Sequence, residues 1–495
     1  MAPDDLRISS LLSRPVRLAA QVSGAHEATL EHLINDAQVL VRLEASFTEV
    51  PDARETFLSL VNQIIRFCPN VAVCVSTPDL VDQARTIAAR VHGAGHPVEV
   101  ADIRDAPRFS AIVNVGIEIL ERFPSVTVNS TGWVARVAAA GSGIERIPWR
   151  PTTPNAIGAV AAACLGAGRA FLDIIGRPLV TSPFEMSLFT QEVGPHGTLP
   201  PGPELPAVPA ELDALLVGCG GVTNGWAYTV KRLPIVGRLE AIDRQALKIE
   251  NLGPYVASGR EWLETAKVEM IAALLAPAIT VKPRPDEWEF FKIRLRYGLP
   301  VPPIVVNGLD NVDARHSVQR LWPEVLIDMA AGGLTSQVIL KPIRSAGICL
   351  LRALDRPTDE VGWAERVARE TGLRIDRILE GATTVITESD VAEAPEDKRE
   401  TLEEARKQGR LICGRVTDQN LRFEGRDPNF APAVPFVTCF SGVVGAAATM
   451  KWLMGYHDDA AFHFQASFAS GRARTLSMAC DSGCDCQQAR RMAPN

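Results

Sequence analysis

The chain of 495 residues reads as an α/β protein built on parallel sheets and carried twice. Three observations lead there. Apolar strands alternate with helical stretches through the second half, the pattern of a parallel sheet whose ligands sit at the carboxyl ends of its strands. One such strand runs into the glycine turn "LLVGCGGVTNG" at 215–225, and a helix follows. The same order of apolar segments occurs in both halves, and the length suits two or three domains rather than one.

The Pro/Gly-dense stretch "GPHGTLPPGPELPAVPAE" (194–211) is the clearest linker. It divides a first domain, 1–195, from a second, with 196–211 between them. In the first half "AIVNVG" (111–116) precedes the small-residue helix "LGAGRAFLDIIG" (165–176). In the second, "PIVVNGLDN" (303–311) precedes "VGAAATMKWLMG" (444–455). Both helices stop at a glycine able to cap them. The shared order implies a diverged internal duplication.

Composition narrows the class. Hydrophobic residues make up 46% and charged residues 22%, a globular mixture. A net charge of −7 without a long basic run argues against nucleic acid as a partner. The N-terminus lacks the profile of a signal peptide. Ten cysteines in a chain of this size suit a reducing, cytoplasmic setting. The most apolar segment, 156–176, carries Arg169 and Asp173 and reads as a packed internal helix rather than a membrane span.

Taken in order, the second half begins with the strand "ALLVG" and the glycine turn, with glycines at Gly218, Gly220, Gly221 and Gly225. "RLEAI" (238–242) is the next strand and ends at Asp243. Ser258 and Glu261 have the spacing of a capping box, which predicts a helix from there through "GREWLETAKVEMIAALLA". "AITVKP" and "PIVVNGL" are predicted to be further buried strands, the second leading to Asp310. Gly218, Asp243 and Asp310 therefore gather at one end of the sheet. The first half has neither a glycine turn nor a counterpart of Asp310, and reads as the same fold with its nucleotide site erased.

Asp243 lies 25 positions after Gly218, where a carboxylate serves ribose hydroxyls. A nicotinamide-binding turn would place a third glycine at 223, but that residue is Thr223. "IDRQALKIENL" (242–252), the double glycine after "GC", Lys267, "NGLDNVDARHSVQRLWPEVLIDMAAGG" (307–333) and "PFVTCFSGVVGAAATMKWLMG" (435–455) together resemble the ubiquitin-activating-enzyme-like (ThiF/MoeB) adenylyltransferases. The elements follow the family order from 213 to 455. An erased copy fused to an intact one resembles the two-lobed activating enzymes and compact bacterial relatives in ubiquitin-like modification and anti-phage operons.

The resemblance implies tandem Rossmann-like adenylation domains, inactive plus active, pairing within one chain. The active domain would comprise 212–355 and 419–495, with a mostly helical, cysteine-bearing insert at 356–418. It implies ATP and Mg²⁺ as cofactors, a ubiquitin-like protein presenting its C-terminal tail, and a conjugating enzyme as the next partner. By the same resemblance Asp310 helps hold Mg²⁺, Asp243 holds the ribose, Asn251 contacts the phosphate side and Lys267 neutralises phosphate charge. Gly218, Gly220 and Gly221 let the backbone approach the nucleotide. Two departures stand out. Pro254 occupies the place where many relatives have an arginine, and Thr223 replaces a common glycine. Relatives can borrow an arginine from the other lobe's N-terminus, and Arg14 and Arg17 are the residues available there.

Conjugating members pass the adenylate to a thiol. Cys413, beside Arg410 and Arg415 in the charged insert, is the expected nucleophile, because nearby cations favour the thiolate. Cys439, in an apolar Gly-rich segment, is the second choice. Relatives often bind structural Zn²⁺ through paired C-x-x-C motifs, but the tail here is C-x3-C-x-C, with Cys480, Cys484 and Cys486. The earlier pair is reduced to Cys349. An unliganded, mobile tail is expected, with a Zn²⁺ site on these four thiols as the alternative. The overall expectation is carrier activation by adenylation followed by a thioester on Cys413. A sulfur-carrier adenylyltransferase without the relay is the alternative. A nicotinamide oxidoreductase and an inactive scaffold fit fewer residues.

Overall fold

The computed structural model describes residues 3–177, 183–296, 298–347, 349–354, 368, 371–374, 377, 384–407, 411–412, 432–457, 461–476, 480 and 484–492. The chain forms two compact units, Met1–Ala353 with Pro432–Asn495, and Leu354–Ala431.

The first unit opens with helices α1 (Pro3–Ser23) and α2 (Glu27–Asp36). Strands β1 (Gln38–Leu43), β2 (Asn70–Cys74), β3 (Glu99–Val100), β4 (Ala111–Val115), β5 (Ser125–Thr131), β6 (Val134–Ala139), β7 (Phe184–Ser187) and β8 (Val193–Gly194) then form one sheet in the order β3-β2-β1-β4-β5-β6-β7-β8. The first five are parallel and the rest antiparallel. Helices α3 (Pro51–Ile64), α4 (Pro78–His92) and α5 (Ala156–Ile174) connect and cover them. β4 is buried along its whole length, as a parallel strand covered on both faces must be.

The second sheet repeats this plan. β9 (Ala210–Val217), β10 (Ile235–Ile242), β11 (Ile279–Arg284), β12 (Ile304–Asn307), β13 (Val325–Gly332) and β14 (Thr335–Pro342) are followed, after the second unit, by β17 (Phe462–Ser467) and β18 (Arg472–Leu476). Their order, β11-β10-β9-β12-β13-β14-β17-β18, matches the first sheet strand for strand. Its helices are α6 (Gly221–Val230), α7 (Lys267–Leu275), α8 (Trp288–Arg296), α9 (Val312–Gln319) and α10 (Leu350–Ala353). One expectation needs correcting. β11 is an edge strand with Thr280 and Lys282 exposed, not a buried one, because no strand among the described residues pairs beyond it.

The second unit contains α11 (Glu388–Glu393), α12 (Glu396–Lys407) and the short antiparallel pair β15 (Thr384–Val385) and β16 (Leu411–Ile412). Leu411 and Ile412, just before Cys413, pair as strand with Val385 and Thr384.

Back in the first unit, α13 (Pro435–Leu453) corresponds to α5, and α14 (Asp485–Met492) ends the fold. Both α5 and α13 are apolar and long enough to cross a membrane by length and composition, and 83% of each apolar window is packed inside the unit. They pack on each other, while α5 also packs on α3 and α13 on α6. The α6–α13 crossing is close: a Cβ on Gly442 would fall 2.2 Å from the Trp226 backbone nitrogen, and one on Gly225 2.7 Å from the Cα of Cys439. Only glycines permit that approach. Polar contacts join the halves as well. Ser59 Oγ lies 3.0 Å from the Tyr228 hydroxyl, and Arg232 Nε donates to Glu55 at 2.6 Å.

Candidate functional site

The second sheet changes direction between β9 and β12, and the crevice at such a switch point is where ligands bind in open α/β sheets. The glycine turn leaves β9 there. Gly218 has φ +80°, a conformation that favours glycine. A Cβ on Gly220 would meet nothing nearer than 3.8 Å, so the turn faces open space, and α6 begins directly after it. Thr223 does not spoil the turn. Its hydroxyl donates to the Gly218 carbonyl at 2.7 Å, and Gly308 on the loop after β12 leaves room for its methyl group, which a Cβ there would meet at 2.4 Å.

Asp243 follows β10 and closes the turn. Its Oδ2 accepts the Cys219 N–H at 2.7 Å and its Oδ1 the Gln245 N–H at 2.8 Å. Burial pushes the Cys219 thiol well above its usual range, and the Asp243 carboxylate adds to this while Lys267 opposes it. That thiol is neutral and unreactive.

Lys267 is buried at the first position of α7, its Nζ 2.6 Å from Gln245 Oε1 and 5.4 Å from the centre of the Tyr255 ring. Burial works against its charge, but Tyr255 and Asp243 outweigh burial and hold its pKa above the ordinary lysine value. The predicted helix from Ser258 is not formed. Ser258 donates its hydroxyl to Tyr255 O, Glu261 pairs with Arg90 of the first half, and Glu264 takes φ +63°, so the helix starts only at Lys267. Side chains that pair elsewhere no longer cap.

Between Asp243 and α7 the segment 249–258 folds over the turn. Asn251 is buried and its Oδ1 accepts the Lys248 N–H at 3.0 Å. Tyr255 places its hydroxyl near Gly220. Ala257 N–H donates to Asn224 of α6 at 2.7 Å, and the Pro254 carbonyl accepts from Thr438 of α13 at 2.7 Å. α1 packs on the stretch 249–251, and the buried Nε of Arg14 on that helix has no hydrogen-bond partner among the described residues.

Asp310 is exposed on the loop after β12, between Asn307 and the N-cap of α9, Asn311, whose Oδ1 accepts the Ala314 N–H at 3.1 Å. A buried pair anchors that loop. Arg315 Nε donates to Asp328 at 3.1 Å, its Nη2 makes a second bond to the same carboxylate, and Asn307 donates to it at 2.7 Å.

The cysteines separate clearly. Cys413 lies outside the described residues, as do Arg410 and Arg415. Cys439 is fully buried in α13. The tail corrects an expectation. Cys349, Cys480, Cys484 and Cys486 do not hang free; their sulfurs all lie within 4.8 Å of one another. Cys349 Sγ is 3.5 Å from Cys484 Sγ and 3.3 Å from Cys480 Sγ. Four sulfurs at about 2.3 Å from one Zn²⁺ in a tetrahedron would be roughly 3.8 Å apart, so the donor set fits. Lys341 lies beside them, its Nζ donating to Gly347 O at 2.7 Å, a cation suited to balance a thiolate cluster.

Tyr255, Gln245, Thr438 and Arg66 were not legible as site residues. Gln245 and Thr438 lie in stretches that carry the family resemblance but nothing there singles them out, and Tyr255 and Arg66 reach the site only through folding of an irregular segment and the packing of distant helices.

No family model matches the chain. A curated relative, the uncharacterized protein y4jF of Sinorhizobium fredii (strain NBRC 101917 / NGR234), is 26% identical over 167 residues, covering 32% of this chain and 31% of that one. Among solved structures the chain is similar to E. coli MccB, at TM-score 0.36 and 14% identity over 56% of this chain and 64% of that chain. It is similar also to E. coli MccB with MccA-N7isoASN, at TM-score 0.35 and 13% identity over 56% and 66%. The chain thus spans under a third of the curated relative and just under two thirds of the MccB chains.

Proposed function

We propose that this protein uses ATP to adenylate the C-terminal carboxylate of a ubiquitin-like protein. The observation that carries this reading is the convergence of an open glycine turn, Asp243, Asn251 and a charged Lys267 at the carboxyl end of one sheet, with Asp310 on the adjoining loop. In the reaction a carboxylate oxygen attacks the α-phosphorus, a P–O bond forms, the bond to the β-phosphate oxygen breaks, and pyrophosphate leaves. Both reactants are anionic, so fixed cations and backbone donors at the site lower the barrier. Lys267 supplies such a cation, and the start of α6 supplies N–H donors. Asp243 suits the ribose hydroxyls. Asp310 is the residue to hold Mg²⁺, which when bound would neutralise phosphate charge. Arg14, on the helix α1 that packs on 249–251, is with Arg17 a candidate to add a cation where Pro254 stands in place of the arginine of many relatives.

The adenylate then passes to a thiol, which we assign to Cys413. The carbonyl carbon bonds to sulfur, AMP departs, and a conjugating enzyme takes up the thioester. A sulfur-carrier adenylyltransferase without this relay is the second reading, favoured by the full burial of Cys439 should Cys413 prove dispensable. The four-cysteine cluster is assigned a structural Zn²⁺.

The test is ATP–pyrophosphate exchange driven by a ubiquitin-like β-grasp carrier protein, followed by a non-reducing gel. Exchange and a reductant-sensitive band that Cys413→Ala abolishes are expected. Exchange without a band supports the second reading, and no exchange with any such protein rejects both.

A further inference from the structure

Arg66 belongs to the first half, just beyond α3, yet three carbonyls of the second half accept from its guanidinium. It is buried to 2% exposure. Nη2 donates to Val256 O at 3.0 Å and Ser258 O at 2.7 Å, and Nη1 donates to Leu252 O. Asn62, one turn earlier on α3, accepts from Arg66 Nε at 3.1 Å and donates its own amide to Val256 O at 2.8 Å. Three carbonyls of an irregular segment thus close on one planar fork. Lysine has the charge but not the geometry. Burial, with Arg90 nearby, pulls the Arg66 pKa down to about 9, which still leaves it charged at neutral pH.

The segment so held is the one that carries Asn251 and Tyr255 over the glycine turn. It has no regular secondary structure between Leu252 and Gly259 to hold itself. Arg90, also of the first half, donates Nη2 to Ala257 O at 3.2 Å, and the second half adds the ties of Ala257 to Asn224 and Pro254 to Thr438. We infer that Arg66 is a positioning residue for the nucleotide site, and that the first half contributes to catalysis by clamping 252–258 through Arg66 and Asn62. This inference rests on the nucleotide reading above and gives the half without a glycine turn a role beyond support.

The experiment compares full-length wild type, Arg66→Met, Arg66→Lys and Arg136→Met by two readouts: calorimetric affinity for Mg·ATP and hydrogen exchange of the amides in 252–258. Arg136 makes a buried pair with Glu185 inside the first sheet, so its variant reports general destabilisation of that half. Arg66→Met should weaken Mg·ATP binding about tenfold or more and speed exchange in 252–258, since small misplacements of site groups cost factors of this size. Arg66→Lys should recover little. Arg136→Met should leave both readouts near wild type. If Arg66→Met does not fold, Asn62→Ala, which deletes one donor to Val256 O, should move both readouts the same way by about threefold. Loosening without loss of affinity, loss of affinity without loosening, or an equal effect from Arg136→Met overturns the inference alone. A wild type that binds no Mg·ATP overturns the nucleotide reading itself, and the inference with it.

Discussion

The carboxylate of Glu44 fills the space beside Gly116: a Cβ on that glycine would lie 2.1 Å from Glu44 Cδ. Glu44 Oε1 accepts the N–H groups of Ile117 at 2.9 Å and Glu118 at 2.8 Å, and the amide of Asn114 at 2.8 Å. This is the switch point of the first sheet, between β1 and β4, and it corresponds to the place of the glycine turn in the second. The donors that could meet a phosphate there are already taken by an internal anion. Calorimetry should therefore find one Mg·ATP site per chain. Gly116→Ala should destabilise the protein by about 1–3 kcal/mol, because a methyl group would displace Glu44. A second site of similar affinity would count against the erased-copy reading.

Asp310→Ala should abolish carrier-driven pyrophosphate exchange, by about a hundredfold or more, with little change in thermal midpoint. The carboxylate is exposed, while the buried Arg315–Asp328 pair that anchors its loop stays intact. Exchange near the wild-type rate in a folded variant would move the metal role elsewhere.

Asp52 makes stability depend on pH. It lies buried near the start of α3, accepting the Asn155 N–H at 2.8 Å, and burial raises its pKa from 3.8 to about 7. The folded state holds this proton more tightly than the unfolded chain does. Its contribution is therefore fully present below pH 3.8 and is lost as pH rises through about 7. Asp52→Asn keeps the acceptor but removes the titration. Urea unfolding should show the variant gaining on wild type by about 1–3 kcal/mol between roughly pH 5 and 8. A constant difference across that range would show that Asp52 does not titrate there.

The thiol cluster should carry one Zn²⁺ per purified chain by elemental analysis. Removing the metal with a strong chelator should lower the thermal midpoint and expose four thiols to a thiol reagent. Cys484→Ser should reduce metal content and stability together, since a structural Zn²⁺ site contributes directly to folding. Protein purified without added chelator that is stable and free of metal would return the cluster to packing alone.

What the sequence determined by itself is local. Periodicity marked β9, β10, β12 and the two small-residue helices, and glycines at Gly176 and Gly455 do take positive φ where those helices end. The glycine turn and the strand end at Asp243 were legible because turn and strand-end chemistry is written within a few residues, whereas Lys267 was pointed to only by the family resemblance. The duplication was legible because an order of segments survives when individual residues do not, and the matched strand orders carry it through both sheets. The tertiary structure decided the rest. Glu264 breaks the helix expected from Ser258, because Glu261 finds a partner in Arg90, 171 positions away. Cys349 and Cys480 are 131 residues apart and meet only when the sheet places α10 beside the chain's last turn. Arg66 reaches Leu252 across 186 positions. Such contacts depend on where whole helices pack, and pairwise spacing along the chain carries no record of that geometry.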